Sequence, residues 1–297
     1  MGLGESSSEI VDASSESRKW VDPAKWDNAA TQYNDAVGRS SSNGAARLIT
    51  LAEALCPFSI PNACAIDLGA GTGSLTHQLA NYAPTLPILA TDISPGMLKE
   101  LMSLRSDPAT SNISCQVADM AAPVGGAITE GVYSHVFSTM AIQVLPAPDE
   151  EGTLHQWARL LAPNGIVAIA IWDFDENCGP HAIWAEAALA VDSGYINPPL
   201  VPPRHWTGRA QLEAGLKAEG FRDVKAEVYH IGFDVGREGF MRFFWESENP
   251  MAVERRSSFK GDLSKVRQQM GKLLDDKYDG GRKIPLSAAL AVGQKPI

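Results

Sequence analysis

The sequence predicts an α/β fold with a parallel sheet covered by helices on both faces, and three observations predict it. Near-continuous apolar runs, Ala65 to Leu68, Ile88 to Thr91 and Ile166 to Trp172, alternate with segments of helical spacing. Strands buried on both faces read this way, whereas half-exposed strands alternate polar and apolar residues. The first run passes straight into the glycine-rich turn Gly69-Ala70-Gly71-Thr72-Gly73, and acids stand at the ends of three runs: Asp67, Asp92 and Asp119. In open α/β sheets ligands sit at the carboxyl ends of the strands, where these acids fall.

A chain of 297 residues with 44% hydrophobic content holds one large α/β domain with an accessory cap. A polar, acidic tail runs to residue 18. From Trp20 to about Leu55 the pattern is helical, with Trp26, Ala29, Ala30, Tyr33 and Val37 on one face at spacings of three and four. Strands at 64–68 and 87–92 flank a helix at 73–82, and Ser94 caps a further helix with Pro95 at its first position. Strands near 113–118 and 132–139 lead to a helix over 149–161 begun by Asp149, then to the strand Ile166 to Trp172. Regular alternation stops at 173–207, a stretch rich in Pro, Trp and His. A helix over 208–219 ends at Gly220, and Val224, Ala226 and Val228 alternate as in a strand. Residues 237–248 and a helix carrying Leu263, Val266, Met270, Leu273 and Leu274 supply further cover, and Ile284 to Val292 is the final strand. The expected division is a tail (1–18), a helical cap (19–60), a core (61–172), a pocket-forming insertion (173–207) and a segment (208–297) that completes the sheet and carries more cap at about 237–280.

A glycine-rich strand-to-helix turn by itself suits phosphates, dinucleotides or S-adenosylmethionine. Asp67 repels a pyrophosphate and pairs with an ammonium, which S-adenosylmethionine carries. Asp92 follows the glycines by roughly twenty residues, where a carboxylate accepts from ribose hydroxyls. That spacing also suits a dinucleotide, but Ser74 occupies the third glycine position of the dinucleotide fingerprint. Asp119 with Met120 completes a nucleoside site, the acid facing an adenine amino group and the thioether covering the ring.

On these residues the chain resembles the class I S-adenosylmethionine-dependent methyltransferases, most closely the small-molecule branch with the ubiquinone/menaquinone-type and trans-aconitate-type enzymes. The resemblance covers roughly residues 20 to 175. It implies a Rossmann-like, seven-stranded, mostly parallel sheet whose last strand is antiparallel. It places Asp67, Gly69, Ala70, Gly71 and Gly73 around the methionine moiety, Asp92 on the ribose, and Asp119 and Met120 at the adenine. Tyr33, Ile93, Met97 and Thr139 join the cofactor set. Ser138-Thr139-Met140-Ala141 then lines the methyl-transfer channel, and Pro163-Asn164-Gly165 is the turn before strand five.

Methyl transfer from a sulfonium is an in-line displacement that requires alignment and exclusion of water, with a base only for acceptors that must lose a proton. His181 and His205, both in the insertion, are the candidate bases. Gln143 is a candidate hydrogen-bond partner of the substrate, and Trp26, Trp172, Trp184, Trp206, Phe244 and Trp245 are candidates for an apolar pocket. The expected substrate is a small apolar or aromatic metabolite methylated at O, N or S. Cofactor motifs report binding rather than turnover, so a non-methylating use of the donor or a non-catalytic partner role stays open.

A net charge of −10 disfavours nucleic acid as a partner. The four cysteines show no metal-binding spacing, so no metal is expected, and they read as thiols of a reducing cytoplasm. No membrane span is expected. Met1-Gly2-Leu3-Gly4-Glu5-Ser6 matches the N-myristoylation pattern, with no polybasic stretch beside it. Oligomeric state is not encoded in these patterns.

Overall fold

The computed structural model describes residues 22–103, 112–145, 152–175, 178–197 and 206–295, apart from the side chains of 31–33, 35 and 36. The expected tail, the Met1–Ser6 motif, the Tyr33 side chain, Asp149 and His205 lie outside the described residues. Strands β1 (Ala65–Leu68), β2 (Ile88–Asp92), β3 (Ile113–Val117), β4 (Tyr133–Thr139), β5 (Leu161–Trp172), β6 (Arg222–His230) and β7 (Ser287–Gln294) form one sheet. Their order is β3-β2-β1-β4-β5-β7-β6. The pairs among β1 to β5 are parallel, and β7 runs antiparallel to both of its neighbours. The seven-stranded, mostly parallel sheet with an antiparallel last strand is therefore as the sequence implies.

Alternation along β5 divides the interior in two. Ile166, Ala168, Ala170 and Trp172 face one core, and Val167, Ile169 and Ile171 face the other. The first core is covered by α1 (Pro23–Leu55), α2 (Ser74–Tyr82), α3 (Pro95–Ser103), α5 (Gly179–Val191), α7 (Gly236–Trp245), α8 (Pro250–Ser258) and α9 (Leu263–Lys277). The second is covered by α4 (Thr153–Leu160) and α6 (Arg209–Ala218), through Leu154, Trp157, Leu160, Leu212 and Leu216.

Helix α1 starts where Asp22 caps the Ala24 N–H at 3.0 Å, with Pro23 in the first turn. Its later half is tied down by polar contacts: Ser40 Oγ donates to Gly232 O (2.6 Å), Asn43 Nδ2 to Ile231 O (2.9 Å), and Arg47 grips Glu227 with two bonds of 2.6 and 2.8 Å. Helix α3 opens as expected, Ser94 Oγ accepting from Met97 N at 3.0 Å.

Four expectations need correction. Strand β5 begins at Leu161 rather than Ile166, because the Pro163-Asn164-Gly165 turn is absorbed as a bulge between the pairs Tyr133–Leu161 and His135–Ile166. The insertion carries helix α5, which is buried at Gly179, Pro180, His181, Ile183, Trp184, Ala187 and Ala188 and exposes Ala182, Glu186, Leu189 and Ala190, a stripe too apolar to mark an amphipathic helix. Helix α8, capped by Asn249 on Met251 N (3.0 Å), was likewise not expected. The final strand starts at Ser287, while Ile284 makes an isolated bridge to Phe233.

Candidate active site

The glycine turn sits at the carboxyl end of β1 because its neighbours hold it there. Ala70 N donates to Thr91 O (2.8 Å) on β2, Ser138 Oγ on β4 donates to Leu68 O (2.9 Å), and Gly71 N donates to Asp92 Oδ2 (2.9 Å). Gly69, Gly71 and Gly73 all have positive φ, at 72°, 55° and 91°. A Cβ on Gly69 would lie 2.5 Å from Ala141 Cβ, whereas one on Gly71 would meet nothing within 4 Å. The first glycine is needed for packing, and the second keeps backbone open to the cleft.

The cleft is lined by Asp67, Gly69, Ala70, Gly71, Asp92, Ile93, Met97, Asp119, Met120 and Thr139 of the expected cofactor set, and by Trp26 of the expected substrate set. Gly73 is not in the lining; it caps α2 at its N-terminus. Met120 is positioned from the second core, where the buried Trp157 indole N–H donates to its carbonyl at 2.8 Å.

Sequence reasoning missed Ser41, Thr72, Val144 and Leu145, which also line the cleft, as do Met140 and Ala141 of the expected methyl-transfer channel. Ser41 continues the face of Trp26 and Val37 one turn further along α1, so the same spacing would have found it. Met140 has φ +56°, a left-handed conformation uncommon outside glycine, and its Cε lies against Gly44 of α1.

The remaining expected residues lie elsewhere. Gln143 is buried and its Oε1 accepts from the Trp172 backbone N–H at 2.8 Å, which pins the turn after β4 to the end of β5. Trp206 belongs to the second core, beyond the sheet from the first helix. Trp184 stacks on Phe244 at 6.0 Å and packs on Trp245 at 5.9 Å inside the helical layer. Trp172 and the buried His181, 6.0 Å apart, belong to the same layer, with Phe244 at 6.2 Å from the imidazole. None of these seven residues lines the cleft. Apart from Trp206, these aromatic residues build the core beneath the helical layer rather than a pocket.

Burial raises the pKa of Asp67 to about 7, against the lowering effect of its 2.6 Å bond from Thr76 Oγ1. Burial also pushes Asp92 upward, opposed by the N–H groups of Ser94 and Gly71. Four buried oxygens on the lining, Ser41 Oγ, Asp67 Oδ1, Thr72 Oγ1 and Thr139 Oγ1, have no hydrogen-bond partner within the protein. Such groups are costly unless a polar ligand engages them. A carboxylate oxygen, hydroxyls and an open glycine backbone together fit a ligand carrying an ammonium, a carboxylate and ribose hydroxyls.

Residues 65–165 match the model of a methyltransferase domain family. Over 250 residues the chain is 35% identical to malonyl-[acyl-carrier protein] O-methyltransferase of Hahella chejuensis, covering 82% of each chain. The chain belongs to the class I S-adenosylmethionine-dependent methyltransferases. A shorter match, 31% identical over 146 residues, links this methyltransferase to trans-aconitate 2-methyltransferase of Variovorax paradoxus, covering 46% of this chain and 50% of the relative. Phosphoethanolamine N-methyltransferase 2 of Haemonchus contortus, solved with S-adenosyl-L-methionine, shares the fold at 15% identity and a TM-score of 0.52. That comparison covers 97% of this chain and 61% of the other, so the chain spans less than two thirds of that protein. The methyltransferase uses S-adenosyl-L-methionine as its donor and acts on a small molecule. Among the described residues, no group of three or more metal-binding side chains occurs, and no helix is long and apolar enough to cross a membrane.

Proposed function

We propose that this methyltransferase esterifies a carboxylate of a small organic acid, free or held as a thioester. The observation that carries the reading is the match along 82% of the chain to a malonyl-[acyl-carrier protein] O-methyltransferase, and the second relative is named for trans-aconitate, also a carboxylic acid. The described lining agrees: beyond the donor residues it offers the Ser41 hydroxyl and the apolar Met140, Ala141, Val144 and Leu145, and Thr139 of the expected cofactor set adds a second hydroxyl at the end of β4. A carboxylate is already ionised at neutral pH and attacks without losing a proton, so aligned hydroxyl donors suffice for it. An aromatic acceptor draws less support, because of the aromatic set expected around it only Trp26 lines the cleft.

In this reading Asp67 pairs with the donor's ammonium, Asp92 accepts from the ribose hydroxyls, and Asp119 with Met120 faces the adenine. When bound, the donor supplies an electrophilic methyl group on a sulfonium. Ser41 and Thr139 donate to the acceptor carboxylate and turn one of its oxygens toward that methyl, while Met140, Val144 and Leu145 exclude water. The test is an incubation with S-adenosylmethionine and a panel of malonyl thioesters, tricarboxylic acids, phenols and amines, read by mass spectrometry. Methyl esters are expected; methylated phenols or amines with unmodified acids would overturn the proposal.

The Asp67 pairing has its own pH signature. With a donor-free pKa of about 7, Asp67 must release a proton to pair with the ammonium below that pH, so affinity falls by up to about tenfold per unit of acidification. The sign for folding is opposite. A carboxyl whose pKa rises on folding contributes stability below its unfolded value of about 4, which is lost as pH rises through the folded value. Calorimetric titrations with S-adenosylhomocysteine from pH 8 to pH 5.5 are expected to show the affinity loss in the wild type and a flat profile in Asp67→Asn; a flat wild type removes the pairing.

A further inference from the structure

Helix α1 reaches the cleft through Trp26, and the next residue ties it to the opposite wall. Asp27 Oδ1 accepts from Ser94 Oγ at 2.5 Å and from Gly96 N at 2.7 Å. Both donors lie at the opening turn of α3, where free backbone N–H groups and the helix dipole favour an anion. The contact is built into the sequence on both sides. A Cβ on Gly96 would stand 2.7 Å from Asp27 Oδ1 and 3.1 Å from Asp27 Cα, so glycine is what lets the two helices meet.

Ser94 carries the link onward. Its N–H donates to Asp92 Oδ1 (2.9 Å), and Asp92 Oδ2 accepts from Gly71 N (2.9 Å). Four residues, Asp27, Ser94, Asp92 and Gly71, thus connect the helix over the cleft with the turn at its floor. Further along α1, the ion pair of Arg39 with Asp234 (3.9 Å) and the bond from Ser40 stand twelve and thirteen residues on, about 20 Å away at 1.5 Å per residue. The start of the helix is therefore secured at the cleft by Asp27 and toward its middle by Ser40, Asn43 and Arg47.

We propose that Asp27 is a positioning residue that clasps the first helix, and Trp26 with it, over the bound donor, so that opening of this clasp sets the rate at which S-adenosylmethionine and S-adenosylhomocysteine exchange. The proposal rests on the donor-site reading and is independent of the acceptor. Charge-assisted bonds to a carboxylate are strong enough to dominate the closing of one helical turn. Gly96 and Ser94 need not touch the ligand for the clasp to act.

The experiment follows S-adenosylhomocysteine release by stopped-flow tryptophan fluorescence, together with donor KM and kcat. Asp27→Ala is expected to release the product about tenfold faster and to raise donor KM by a similar factor, with kcat at saturating donor unchanged or raised. Asp27→Asn keeps an acceptor oxygen and is expected to stay within about threefold of the wild type. Gly96→Ala leaves the carboxylate intact but wedges the helices apart, and is expected to reproduce Asp27→Ala. Alanine suits a helix, so this variant decides the matter alone if Asp27→Ala does not fold. Release and donor KM within about twofold of the wild type in both alanine variants overturns the clasp, as does a fall in kcat with donor KM unchanged. A wild type that binds no S-adenosylhomocysteine overturns the donor-site reading itself.

Discussion

Asp92→Ala is expected to weaken S-adenosylmethionine binding by at least about a hundredfold, near 2.7 kcal/mol. The carboxylate acts twice in the site. It accepts from Gly71 N and Ser94 N, both at 2.9 Å, and so holds the glycine turn and the start of α3 in place. Removing it leaves two donors short of a partner at about 1–3 kcal/mol each and deletes the proposed ribose acceptor. Because burial already pushes the Asp92 pKa upward, its charge is a burden to the unliganded fold. Relief of that burden offsets part of the cost of the two orphaned donors, so stability is expected to fall by less than their sum while affinity also loses the ribose acceptor. Calorimetry with the donor and chemical denaturation of the free protein separate the two; binding within about threefold of the wild type would refute the assignment.

Gly69→Ala has the largest expected effect on folding, a loss of roughly 2–5 kcal/mol. The left-handed backbone, φ +72°, accounts for about 1–2 kcal/mol of it. The remainder comes from the new methyl meeting Ala141 Cβ at 2.5 Å and Met120 Sδ at 3.2 Å. Gly71→Ala is the matched control. Its φ is +55° but its Cβ meets nothing within 4 Å, so the stability loss is confined to the backbone strain while the methyl occupies the donor's side of the cleft. Denaturation midpoints and S-adenosylhomocysteine titrations are expected to separate the pair: Gly69→Ala the less stable, Gly71→Ala losing only the backbone strain of about 1–2 kcal/mol but impaired in binding. Equal stability losses would show that the Ala141 contact yields by movement.

The sheet was legible because a strand buried on both faces has to be apolar throughout, and the acids that end β1, β2 and the loop after β3 interrupt that rule where a ligand is met. Helix α5 was illegible for a related reason. The exposed stripe of Gly179 to Val191 is Ala182, Glu186, Leu189 and Ala190, apolar at three of its four positions, and a helix without a polar face leaves no period to detect. The aromatic residues near it were read as a pocket because local sequence does not say whether a large ring faces a ligand or another ring. Phe244, stacked on Trp184 and 5.0 Å from Phe240, shows that rings filled the space. Met140 was legible as a channel residue, but its left-handed backbone was not, because that is imposed at the end of β4, where its N–H donates to Ala170 O at 2.7 Å.

The position of β7 has a consequence for how the chain assembles. Strands β1 to β4 find all their partners in the stretch that ends with β5 at residue 172, whereas one edge of β5 and the whole of β6, at 222–230, depend on β7, at 287–294, which is the sole neighbour of β6 in the sheet. During synthesis β6 therefore leaves the ribosome with no docking edge and waits for some sixty further residues before one exists. The donor-binding half of the sheet reaches its pairing partners well before that moment. The last strand acts as a keystone, set late between two strands that cannot touch without it.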